Sequence, residues 1–228
     1  MATNNAINNS QLTTNGQLLI GSTGATPVVS TITAGSNITV TNGAGSISIA
    51  ATAGAAGALT WIASATASNS ATIDFANNLS STYDNYLILC ENVVPSTAGA
   101  FFGLQIGTGA TPTYQTTAYS GVIHIGNQGS ASSNASATTY MQLDAITGLS
   151  ATSTVGASGQ VVLSNVNNAS NYKNIVAQLA GVVNGGTYPW IGNISNQWAG
   201  ATVLTSLRFL MSSGNISSGI FKLYGYQN

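Results

Sequence analysis

Charge is what this sequence has least of. Of 228 residues, three are Lys or Arg and four are Asp or Glu, 3% in all, where an ordinary soluble domain carries roughly 25%. At a net charge of −1 there is no basic footprint to neutralise a phosphate backbone, which argues against nucleic-acid binding. The same shortage of Lys and Arg argues against docking on anionic lipid. No stretch approaches the roughly 18 consecutive apolar residues of a membrane helix, so membrane insertion is not expected.

Cysteine and histidine occur once each, as Cys90 and His124. An internal disulfide is therefore excluded, and Cys90, inside the apolar run 86–94 (YLILCENVV), reads as a small buried hydrophobe. The carboxylates Asp74, Asp84, Glu91 and Asp144 include no two at a ligand spacing, so neither a metal nor any other cofactor is expected. An oligomer axis could gather several copies of His124, but a satisfied strand histidine is the simpler reading. No Gly-x-Ser-x-Gly elbow occurs, and the paired carboxylates of a glycan-cleaving enzyme reduce to Asp74 and Asp84. Gly107 and Gly109 are followed by Pro112 and no helix, a turn rather than a phosphate loop. The expectation is a protein that is not an enzyme. Residues 1–11 contain neither a basic residue nor an apolar run of signal-peptide length, so the usual secretion route is not expected.

Uncharged polarity supplies the hydration instead. Ser, Thr, Asn, Gly and Ala alternate with blocks of Val, Ile, Leu, Phe and Tyr, and 44% hydrophobic residues provide enough apolar area to offset ordering entropy. No window has the 3.6-residue period and caps of a helix. The composition changes near residue 60: every charged residue lies between Asp74 and Lys222, and every aromatic from Trp61 onward. Residues 36–41 (SNITVT) and 46–49 (SISI) place Ile38, Val40, Ile47 and Ile49 at every second position around NGAG, the pattern of a β-hairpin. A lone hairpin is marginal in water, so these four residues are expected to hold copies of the chain together.

From Trp61 onward, candidate strands follow at about ten-residue spacing: 60–67, 71–75, 86–94, 100–106, 119–125, 139–143, 160–166, 174–183, 203–211 and 220–226. Short strands at that spacing predict an all-β antiparallel sandwich of jelly-roll type, preceded by an extended hairpin stalk. The small-residue tract 50–58 (AATAGAAGA) marks the boundary, giving an attachment and stalk segment over 1–58 and a tip domain over 59–228. Low charge leaves the sheet edges without their usual defence, which again favours assembly.

Residues 16–50 (GQLLIGSTGATPVVSTITAGSNITVTNGAGSISIA) resemble the stalk segment of bacteriophage tail-fibre and tail-spike-like proteins, and 206–225 (SLRFLMSSGNISSGIFKLYG) resemble the closing strands of their globular tips. The resemblance implies a homotrimeric virion appendage, bound through its N-terminal segment to other virion proteins and through its tip to a host surface glycan or protein. The chain departs from the long members in having one stalk unit and no Gly-X-Y run. A capsid-decorating protein, cement or head fibre, is the alternative.

Two site expectations remain. Tyr188, Trp190 and Trp198 lie in the glycine-rich stretch 185–200, read as loops or very short strands, and are the candidates for stacking on a receptor sugar, with inward packing of the same rings the equal alternative. Arg208 lies inside an apolar strand, where its charge calls for a carboxylate such as Glu91 or Asp144 in a structural ion pair, with a ligand contact the alternative.

Overall fold

The fold is that of a computed structural model, which describes residues 12–51, 59–127, 130–135, 139–144, 148–185 and 189–226. No helix occurs among them, and the chain divides into two compact units between residues 55 and 56.

The first unit is two separate hairpins. β1 (Gln17–Ser22) pairs antiparallel with β2 (Ala25–Thr31), and β3 (Ile38–Gly43) with β4 (Ser46–Ala51). Gly45, at φ 71°, supplies the left-handed residue that closes the second hairpin. Val40 stands opposite Ile49 and Asn42 opposite Ile47. Directly opposed residues share a face, so Ile38, Val40, Ile47 and Ile49 form one apolar strip.

The second unit contains β5 (Leu59–Ser70), β6 (Thr72–Phe75), β7 (Tyr86–Pro95), β8 (Phe102–Thr108), β9 (Thr113–Tyr114), β10 (Tyr119–Asn127), β11 (Ser130–Ala135), β12 (Met141–Gln142), β13 (Ala157–Ser164), β14 (Lys173–Val182), β15 (Pro189–Trp198), β16 (Leu204–Met211) and β17 (Ile216–Tyr226). One sheet runs β11-β10-β15-β14-β13-β7-β17-β5; the other runs β12-β8-β16-β6, with β9 beside β8. Eight of these strands define the topology. Taken in chain order, the first pairs with the last (β5 with β17), the second with the seventh (β6 with β16), the third with the sixth (β7 with β13) and the fourth with the fifth (β8 with β12). The pairs alternate between the two sheets, which is a hairpin of strands rolled up into an antiparallel β-sandwich, the jelly roll. β14, β15, β10 and β11 extend the larger sheet beyond β13.

Alternation builds the core. On β14 the inward series is Lys173, Ile175, Ala177 and Leu179, and on β15 it is Trp190, Gly192, Ile194, Asn196 and Trp198. Gly192 is glycine because a Cβ there would come 2.9 Å from Cζ3 of Trp190. At the centre Phe102 of β8 and Phe209 of β16 stack at 5.7 Å, and Phe221 of β17 meets Phe209 at 4.9 Å from the facing sheet. All three are fully buried, each contributing about 1.5–3 kcal/mol of transfer free energy.

All ten strands expected after residue 60 are present, with ends shifted by a few residues. The stretch 185–200 is the correction: it holds the ten-residue β15, in the middle of the larger sheet. Glycine and asparagine at the inward positions 192 and 196 interrupt the apolar alternation that would have revealed a strand.

Candidate functional site

The outer face of the larger sheet is built by the residues that the core does not use. Cross-strand register sorts them into three parallel rows over β10, β15, β14 and β13. The middle row is Val122, Ser195, Val176 and Val162; one flank is His124, Asn193, Gln178 and Gln160; the other is Ser120, Gln197, Asn174 and Ser164. Short side chains thus run between two polar ridges.

The ridges are organised. Gln178 Nε2 donates to Asn193 Oδ1 at 2.8 Å, and Gln197 Nε2 donates to Asn174 Oδ1 at 3.0 Å. Each such bond leaves an amide oxygen on the glutamine and an NH2 on the asparagine facing solvent, one acceptor and one donor group per pair. Two adjoining depressions lie between the ridges. One, of about 470 Å³, is bordered by Val122, His124, Gln160, Val176, Gln178 and Asn193. The other, of about 400 Å³, is bordered by Ser120, Asn174, Ser195 and Gln197, and the two share Val122 and Ser195. Together they form one trough across four strands.

No Asp, Glu, Lys or Arg borders the trough. On the same face Lys222 Nζ donates to Glu91 Oε1 at 2.5 Å, and that hydrogen bond raises the lysine's pKa. The valine row itself continues through Leu87 and Tyr224 to Trp61 on the edge strand β5.

The expected site residues fall elsewhere. Trp190 and Trp198 are 2% and 7% exposed and point into the core, so neither ring is available for stacking on a sugar; Tyr188 lies outside the described residues. Strand alternation explains this, because both tryptophans share an inward parity with Ile194. Ile38, Val40, Ile47 and Ile49 do share one strip, with Ile49 58% exposed. Arg208 is paired with neither Glu91 nor Asp144. Its partner is Asp74, directly opposite on β6, whereas Glu91 lies on the other sheet and holds Lys222. Asp144 is fully buried, its Oδ2 accepting the Phe102 N–H at 2.9 Å, and burial pushes its carboxyl well above the usual range.

The carboxylates weighed for hydrolysis are used structurally as well: Asp74 holds Arg208, and Asp84 accepts from Asn167 Nδ2 at 3.2 Å. Cys90 is buried, and desolvation pushes its thiol pKa up. Lys173 is buried without a carboxylate. Its ammonium donates to the Asn168 and Asn171 carbonyl oxygens, and desolvation lowers its pKa. Among the described residues no group of three or more His, Cys, Asp or Glu side chains is placed to hold a metal ion. His124 was visible in the sequence as a strand residue, though not as part of an outer-face site, and the amide ridges were not visible, since Asn and Gln in strands read as ordinary solvated positions. No family model matches the chain, and no curated protein matches it either.

Proposed function

We propose that this chain is a structural, non-enzymatic subunit of a bacteriophage virion, a short fibre or spike that assembles as a homotrimer and carries its jelly-roll tip toward the host surface. The observation that carries this reading is the N-terminal unit. Its two-stranded sheets leave Leu18, Ile20, Val28, Ile38 and Ile49 exposed, and isolated two-stranded hairpins with open apolar faces need neighbours to be stable. Copies of the same segment around a common axis would provide them. The stalk-like sequence of residues 16–50 supports the same assembly, and through it attachment to other virion proteins.

Decoration of the capsid is the second reading. It is favoured by β5, a 12-residue edge strand without one charged residue, which lacks the usual protection against pairing with another chain.

Sedimentation equilibrium of the full chain, followed by electron microscopy of virions with a labelled antibody against residues after 60, tests both. A trimer with label at the tail or fibre ends is the expected result. Label spread over the head would favour decoration, and a stable monomer absent from virions would end the proposal.

A further inference from the structure

We infer that the trough on the outer face of the larger sheet is a binding site for a neutral glycan. The inference takes host attachment from the reading above, but its chemistry stands on the trough alone.

The floor is apolar and low. Val122, Val162 and Val176 offer methyl groups to the C–H face of a pyranose ring, and Ser195 leaves space beside them. The rim is polar on both sides. A sugar hydroxyl is donor and acceptor at once, and the amides of Gln178, Asn193, Gln197 and Asn174 present both functions in orientations set by the two amide–amide bonds. Gln160 and His124 make no side-chain hydrogen bond among the described residues, so their polar atoms are free for a ligand.

The dimensions suit a short oligosaccharide. Four strands at roughly 4.8 Å spacing make a floor about 14 Å long, and the ridges stand four residues apart along the strands, about 13 Å between backbone positions. The larger depression, about 470 Å³, falls within the roughly 300–1,000 Å³ of small-molecule sites.

Charge sets the class. Recognition of a sialic acid, a uronate or a phosphorylated sugar needs a cation or an array of donors on one oxyanion, and no Lys or Arg borders the trough. A second copy of the chain is the weaker occupant, because packing against these ridges would desolvate amides that only a polar partner can satisfy.

The test is solution NMR on the full-length assembly with methyl-labelled valine. It is titrated separately with neutral disaccharides of glucose, galactose, mannose and N-acetylglucosamine, and with an anionic uronate-containing disaccharide. Saturable shifts of Val122, Val162 and Val176 with at least one neutral sugar, and none with the anionic one, are expected. Q178A/N193A should weaken binding about tenfold or more. V176D, at an exposed position that tolerates substitution, should abolish it while leaving core methyl signals in place. The inference is overturned by unmoved trough methyls with every neutral sugar, by equal binding of the anionic sugar, or by trough signals that respond to protein concentration alone, which would mark a contact between copies. Sugar binding by a protein absent from virions would sink the virion reading and leave the trough standing; virion label without sugar binding would do the reverse.

Discussion

Arg208 on β16 grips both carboxylate oxygens of Asp74, directly opposite on β6: Nε donates to Oδ1 at 2.8 Å and Nη2 to Oδ2 at 2.6 Å. The guanidinium also lies 3.8 Å from the centre of the Tyr114 ring. These are two of only seven charged residues in the chain, and the planar fork of arginine is what makes the pair bidentate.

A double-mutant cycle of R208M and D74N should therefore give a coupling of about 0.5–1 kcal/mol, the range for a partly exposed pair. R208K should recover little of it, because an ammonium cannot span both oxygens. Urea unfolding at low and high salt checks both points, and a coupling that Lys fully restores would refute the bidentate account.

Asp144 makes stability depend on pH. Its folded-state pKa is raised by burial, so its contribution is fully present below the unfolded value of about 3.9 and is lost as pH rises through the folded value. D144N keeps an amide oxygen for the Phe102 N–H and removes the titration. Thermal midpoints of wild type and D144N should be nearest below pH 4 and diverge in favour of D144N toward pH 8. A gap independent of pH would show that Asp144 is charged in the fold.

Cys90 should behave as a hydrocarbon. It is 1% exposed and its thiol pKa is pushed up, so thiolate is scarce and reagents cannot reach it. Labelling with an aromatic disulfide reagent at neutral pH should be negligible in the native protein and stoichiometric in guanidinium. Rapid labelling of the native protein would contradict this burial.

Phe209 meets Phe221 of the facing sheet and stacks on Phe102 within its own, and Phe75 meets it edge-on at 6.5 Å. F209A should cost about 3–5 kcal/mol, as expected for a large core aromatic whose rigid neighbours cannot close the gap. Denaturant unfolding with an unchanged m-value measures it, and a loss below about 1 kcal/mol would mean that the sheets relax into the cavity.

The jelly roll was legible because its strands are short, apolar and evenly spaced, and because β-branched and aromatic residues mark the inward positions of β7, β8, β16 and β17. β15 was not, since Gly192 and Asn196 face inward where a sequence reader expects Leu or Val. That misreading also turned Trp190 and Trp198 into loop residues. The trough was hidden for a different reason: His124, Asn193, Gln178 and Gln160 are far apart in sequence and meet only through the register of four strands. The partner of Arg208 was missed likewise, because Asp74 is 134 residues away and only the pairing of β6 with β16 brings it near.

The pairing of β5 with β17 has a mechanical consequence. Leu59, the first residue of β5 in the second unit, is matched with Tyr226 at the end of β17, and the ladder runs from that pair to Ser70 opposite Ile216. Tension transmitted from upstream enters the second unit through β5, so the β5–β17 ladder carries the load before any other ladder of the sheet. β5 is the strand that should peel first when a load is applied between the N-terminal unit and the trough. The strands under the trough would keep their register until that peeling is complete.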